Sequence, residues 1–132
     1  MSHTSPGTIP LVLLAESVAI CQLPSDAPVP DWTRDAVRFL AVTRTPSELS
    51  IVADEDAVPG AVTAQRGYRI LRVDGPLPLD LVGIFAALAS PLAAASVPIF
   101  PIATYETDYL LVHGEHLTRA LAALRDAGHV VR

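Results

Sequence analysis

Two stretches of this chain, about sixty residues apart, carry the same pattern, and self-similarity at that interval means two copies of one supersecondary unit. The first runs Val42-Thr43-Arg44-Thr45-Pro46-Ser47-Glu48-Leu49-Ser50-Ile51-Val52. The second runs Ala103-Thr104-Tyr105-Glu106-Thr107-Asp108-Tyr109-Leu110-Leu111-Val112. Each reads as an apolar strand ending in Thr, a short polar turn, an acidic residue and an apolar run closing on Val. Aligned on their charges, Glu48 matches Asp108, Val52 matches Val112 and Glu55 matches Glu115, which gives the first copy one extra turn residue. The turn between the strands is where a small ligand could be read.

A chain of 132 residues holds either one ordinary domain or two very small ones. With 51% hydrophobic and 17% charged residues it is core-forming and not disordered. Two units of about 60 residues would each be marginal alone, so they must share a core or dimerise. The net charge of −5 and the isolated placement of every basic residue argue against a nucleic-acid footprint. The single Cys21 excludes an intramolecular disulfide, and no His and acid flank it, so it reads as a buried structural thiol. Ile9 to Ala15 lacks a basic flank and is followed by Glu16, so it does not read as a signal peptide. Leu81–Leu92 is too short to span a bilayer. The expectation is a cytoplasmic protein without membrane contact.

Along the chain, Met1–Pro10 reads as a loose tail and Ser17–Gln22 as the first strand. Pro24, Pro28 and Pro30 break regular structure, and Asp31 caps a short helix through Trp32 and Asp35. Arg38–Thr43 and Glu48–Ala53 form a hairpin about Thr45-Pro46-Ser47. Asp54–Gln65 holds at most a helical turn, because of Pro59-Gly60. Tyr68–Val73 alternates as a strand. Leu81, Ile84, Phe85 and Leu88 recur at helical spacing, predicting a helix over Asp80–Ala95 with Pro91 inside it. Val97–Thr104 is a strand whose Pro98 and Pro101 suit an edge, and Asp108–His113 is the next. Glu115–Ala127 is a helix with the stripe Leu117, Leu121 and Leu124, capped by Gly128, and His129–Arg132 ends the chain as a strand. The second half is therefore βαββαβ, the ferredoxin-like order, and the first half repeats it with eroded helices.

Within this pattern a few residues carry chemistry. Gly83 at a helix start permits close backbone approach, and exposed N–H groups there attract a carboxylate; relief of packing is the alternative role. Asp108 can hold a ligand ammonium or guanidinium, or can cap its own turn. Tyr105 reads as a half-buried turn aromatic or a ligand platform. Trp32 reads as a lid over the first unit's thin core. His113 and His116 lie three apart with His129 near, but partner ligands at metal spacing are absent, so no metal is expected. No Ser-His-Asp signature, nucleophile elbow, P-loop or dinucleotide motif is present, so no enzyme and no cofactor are expected.

Taken together, Thr43–Val52, Gly67-Tyr68-Arg69, Asp74-Gly75-Pro76-Leu77 and Thr104–Val112 resemble the small bacterial tandem ACT-domain proteins, related to the ACT domains of the arginine-sensing CASTOR proteins. The resemblance extends from about Leu14 to the end of the chain. It implies an α+β protein of two tandem ferredoxin-like ACT domains with antiparallel sheets, a degenerate one over 11–65 and a second over 66–132. It implies binding of a free amino acid at an ACT–ACT interface. The implied contacts are Val82, Gly83 and Ile84 in the loop opening the first helix, and Ile102, Thr104, Tyr105, Glu106, Thr107 and Asp108 in the strand-turn-strand segment. This chain has Ala103 where many relatives carry Ser, and Glu106 adds a charge to the turn. The acidic turn favours a cationic or polar amino acid, arginine among the candidates. The expected assembly is a homodimer that signals through an unidentified effector protein. The competing reading is a structural dimerisation module without a working ligand site.

Overall fold

The computed structural model describes residues 7–75 and 82–132. The expected tail over Met1–Pro6, and Pro76, Leu77, Asp80 and Leu81, lie outside the described residues. Seven strands and two α-helices are described: β1 (Pro10–Leu23), β2 (Leu40–Arg44), β3 (Leu49–Asp54), β4 (Ala64–Val73), α1 (Ile84–Ala94), β5 (Phe100–Ala103), β6 (Asp108–His113), α2 (Leu117–Asp126) and β7 (Val130–Val131). Short 3-10 turns at Asp31–Asp35, Glu55–Ala57 and Gly114–His116 complete the order. The class is α+β, and no described helix is long and apolar enough to cross a membrane.

Two compact units divide the chain, Glu16–Tyr68 and the pair of segments Met1–Ala15 and Arg69–Arg132. The long strands β1 and β4 give residues to both. In the unit Glu16–Tyr68 the strand order is β2-β3-β1-β4. β3 is antiparallel to β1, with Cys21 opposite Ile51, and to β2, with Val42 opposite Ile51. Its core gathers Ala19, Cys21, Ala36, Leu49, Ile51, Ala53 and Val58, and Trp32 from the 3-10 segment packs against it. No long helix extends that cover. Leu40 and Val42 sit opposite buried Ala53 and Ile51, yet they stay 44% and 40% exposed because β2 ends the order.

In the other unit β1 lies between β7 and β4, followed by β6 and β5. β1 begins at Pro10, earlier than the Ser17 that sequence periodicity gives, because its first residues pair with the end of the chain. Here β7 runs parallel to β1, the one departure from antiparallel pairing among the described ladders. Val130 N–H donates to Ile9 O at 3.1 Å and Arg132 N–H to Leu11 O at 2.9 Å. The helices α1 and α2 bring Ile84, Leu88, Leu92, Ala120 and Leu124 onto Leu71, Val73, Leu110 and Val112. Apolar groups at intervals of four in α1 place Ile84, Leu88 and Leu92 on one stripe. Phe85, which sequence spacing assigns to that stripe, falls beside it and is 46% exposed.

Both helices end alike. Gly128 at φ 95° follows α2, with His129 N–H donating to Leu124 O and Gly128 N–H to Arg125 O, each at 3.0 Å. Ser96 at φ 58° follows α1, with Val97 N–H on Leu92 O at 2.9 Å and Ser96 N–H on Ala93 O at 3.0 Å. This is the Schellman arrangement, which satisfies the last carbonyls through one left-handed residue.

Candidate functional site

The two hairpins of the repeat are built by the same device. Thr45 N–H donates to Glu48 O at 2.9 Å, and Thr104 N–H to Thr107 O at 3.0 Å. The Thr hydroxyl accepts the amide three residues on, Glu48 at 3.2 Å in one copy and Thr107 at 3.4 Å in the other. Strand pairing opens with Arg44 opposite Leu49 and with Ala103 opposite Asp108. The repeat therefore pairs Thr45 with Thr104 and Glu48 with Thr107, and the loops have equal length. The extra turn residue inferred from the charges is a misalignment by one; a side chain that makes the turn fixes register better than a nearby carboxylate.

Around the second hairpin lies a groove of about 270 Å³ lined by Phe85 of α1, Pro101, Ile102 and Ala103 of β5, and Asp108, Tyr109 and Leu110 of β6. Of the residues expected to bind ligand, Ile102 and Asp108 line it. Ile84 is turned into the core at 7% exposure, while Val82 stands out at 70%. Gly83, at φ 90°, is the N-cap of α1, and its carbonyl accepts Ala87 N–H at 3.0 Å. The amides of Ile84, Phe85 and Ala86 therefore have no acceptor within the helix. No side chain among the described residues caps them.

Thr104, Tyr105 and Glu106 are exposed in the loop, Tyr105 at 86%. The Thr104 hydroxyl donates to Thr107 O at 2.9 Å. Thr107 is buried, and its hydroxyl donates to Val73 O at 2.7 Å, tying the hairpin to the end of β4. Its donor proton is thus engaged inside the fold. The Asp108 carboxylate has no hydrogen bond or ion pair among the described residues, unlike that of Asp54, which accepts Arg38 N–H at 3.1 Å and Phe39 N–H at 2.7 Å. Phe85 is the lining residue that sequence reasoning did not select; its displacement by one position from the Ile84–Leu88–Leu92 stripe was the available signal.

A second, more polar cavity of about 500 Å³ belongs to the unit Glu16–Tyr68, lined by Glu16, Ser17, Arg38, Asp54, Glu55, Asp56 and Arg66. Much of this polarity holds backbone. Glu55 accepts Gly67 N–H at 2.6 Å, and Arg66 donates to Pro59 O at 2.8 Å. Nearby, burial raises the Cys21 thiol pKa above its ordinary 9.0, with the Arg66 charge opposing in part.

His129 does not join His113 and His116. His113 Nδ1 accepts Glu115 N–H at 3.2 Å, and His116 lies 3.2 Å from the Glu115 carboxylate. His129 is elsewhere and buried: Nδ1 accepts Ile9 N–H at 3.1 Å and Nε2 faces Ala87 O at 3.2 Å. Among the described residues no group of three or more His, Cys, Asp or Glu is placed to hold a metal ion.

An ACT domain family model matches residues 63–126, and a model of an N-terminal domain matches residues 16–61. The crystal structure of protein Atu0741 from Agrobacterium tumefaciens is similar at 34% identity and TM-score 0.89, covering 97% of this chain and 94% of that one. Protein VC0802 from Vibrio cholerae shares 23% identity at TM-score 0.73, over 91% of this chain and 90% of that one. The regulatory subunit of aspartate kinase from Thermus thermophilus shares 15% identity at TM-score 0.61, over 94% and 99%. These last two likenesses are of fold alone. The identity to Atu0741 runs nearly end to end, and the hairpin and helix start described above fall inside the ACT match: the chain belongs to the family of Atu0741 and carries an ACT domain over residues 63–126.

Proposed function

We propose that this protein is a non-catalytic regulatory module that binds a free amino acid in the groove beside the first turn of α1. The observation that carries the reading is chemical polarity across one small groove. The Asp108 carboxylate, unpaired among the described residues, lies on one side. Phe85 lies on the other, in a helical turn whose first amides have no helical acceptor. Helix-start amides favour an anion and a carboxylate favours a cation, so the pair suits the two ends of an α-amino acid. The volume, about 270 Å³, is at the small end of ligand clefts.

On this reading both units are ferredoxin-like ACT domains in tandem, the first with its helices reduced, akin to the ACT domains of CASTOR proteins. The division lies near residue 65, and the ligand-contacting set is Val82, Gly83, Ile84, Ile102 and Thr104–Asp108, joined by Phe85. Val82, Phe85 and Tyr105, in the segments that carry the set, are exposed large apolar residues. A second copy of the chain closes the groove over them, so ligand binding and homodimer geometry are coupled, and an effector protein reads the dimer. The same exposed residues also support a purely structural dimerisation module.

Calorimetry against the twenty amino acids separates the two. A binding isotherm is expected for the native protein, together with a rise in melting temperature by mass action. Asp108→Ala should weaken it by on the order of 30-fold or more, since removing one partner of a desolvated charge pair costs about 2 kcal/mol or above. The fold should survive, because the Asp108 carboxylate makes no bond among the described residues and its backbone pairing with Ala103 is kept by Ala. Binding unchanged by Asp108→Ala, or none at all, leaves the structural module as the function.

A further inference from the structure

The groove's lining says which amino acids it takes, an inference that rests on the amino-acid reading above. We propose that the ligand is an amino acid with an uncharged aliphatic or aromatic side chain, and that arginine and lysine are excluded. Asp108 is the only carboxylate or basic group lining the groove among the described residues; Phe85, Pro101, Ile102, Ala103 and Leu110 present carbon, and Tyr109 adds a neutral phenol. One carboxylate neutralises one cation. Every free amino acid brings an α-ammonium, so a basic side chain would bring a second positive charge with no partner left for it. An unpaired charge in such a site is costly, whereas a branched or aromatic side chain gains from each apolar surface it covers.

The acidic character that the hairpin has in sequence does not reach the groove. Glu106 stands on the exposed loop and is not among the lining residues. Among the described residues Asp108 therefore acts alone, which reverses the expectation of a cationic ligand drawn from Glu106 and Asp108 together. Position 103 is the place where the specificity is set. Ala103 is the residue directly opposite Asp108 in the β5–β6 ladder, so its side chain shares that face and adds no charge to it. A carboxylate there would supply the missing partner for a second cation.

The experiment is calorimetry of the full chain with the twenty amino acids, comparing leucine, isoleucine, valine, phenylalanine, glycine, arginine and lysine, with folding of each variant checked by circular dichroism. For the wild type, at least one of the four apolar amino acids should bind about ten-fold tighter than arginine or lysine. Ala103→Glu should narrow or invert that ratio by about ten-fold. If Ala103→Glu does not fold, Phe85→Ala takes its place, since Phe85 is 46% exposed and its loss leaves the core stripe intact. That variant should weaken leucine or phenylalanine about ten-fold more than glycine, and an equal loss for all would overturn the proposal. Wild-type binding of arginine or lysine as tight as that of the apolar amino acids overturns the ligand class while the amino-acid site stands. Failure of all twenty amino acids to bind overturns both.

Discussion

Pro91 sits in the middle of α1, and His129 repairs what it breaks. A proline has no N–H, so the carbonyl four residues before it, that of Ala87, loses its helical donor. His129 Nε2 lies 3.2 Å from that carbonyl, while Nδ1 accepts the amide of Ile9 at 3.1 Å, so Nε2 is the ring nitrogen placed to donate. The imidazole thereby serves two backbone groups that would otherwise lack partners, one on α1 and one just before β1. His129→Phe keeps a planar apolar ring of similar size but removes both bonds. Ile9 is 2% exposed, so its orphaned amide costs near the middle of the usual range of about 1–3 kcal/mol; the Ala87 carbonyl, only half-buried, costs near its lower end. Together they amount to about 2–4 kcal/mol. At about 4 °C per kcal/mol for a chain of this size, the melting temperature should fall by about 8–15 °C. Pro91→Ala returns an amide to Ala87. In that background His129→Phe should therefore cost about 1 kcal/mol less. Urea unfolding followed at 222 nm reports the unit directly, since both described α-helices belong to it. Costs that add to within about 0.3 kcal/mol in the double-mutant cycle would refute the pairing of Pro91 with His129.

The two helix ends make a matched pair. Ser96 holds φ 58° where Gly128 occupies the same place after α2, so Ser96→Gly should stabilise by about 1 kcal/mol and Gly128→Ala should cost a similar amount in the same urea titration. Cys21, 2% exposed, should react with a thiol reagent only on unfolding. Because burial raises its native pKa above 9.0, the folded state keeps its proton when the unfolded state has begun to lose it. The associated stability is whole below about pH 9 and declines as pH climbs toward the native value; Cys21→Val should flatten that part of the stability–pH profile, and an unchanged slope would contradict it.

How much of this was legible in the residues depends on how local each cause is. The helix over α2, its glycine stop at 128 and the second-half order of strands and helices follow from spacing within a dozen residues, and they stand where periodicity put them. The first seven residues of β1 were not legible as strand: Leu11 to Leu14 are an unbroken apolar run, and the pairing of Pro10 and Leu11 with Val130 and Val131 that extends β1 there comes from the far end of the chain. His129 looked like a neighbour of His113 and His116 in sequence, yet its partner Ile9 is 120 residues away. No local pattern announces a bond of that kind.

The site was half legible for the same reason. Asp108, Ile102 and the Gly83 helix start were visible as residue types suited to the two ends of an amino acid. What could not be read was which side chains share a face. Thr107 looks like a ligand hydroxyl until its bond to Val73 O, 34 residues earlier, is seen. Phe85 looks like core until α1 is placed, when Ile84, Leu88 and Leu92 point inward and Phe85 falls one position round, at the groove. Glu106 and Asp108 look like one acidic turn, but a turn is where strand alternation ends: the loop carries Glu106 outward, while the pairing of Asp108 with Ala103 sets its carboxylate on the groove side. A one-residue shift in register would turn Asp108 to the opposite face and take its carboxylate out of the groove. The Thr104–Thr107 bonds that fix the hairpin therefore act on ligand choice without touching a ligand. By fixing which acid faces the groove, they determine the charge of the molecule that can occupy it.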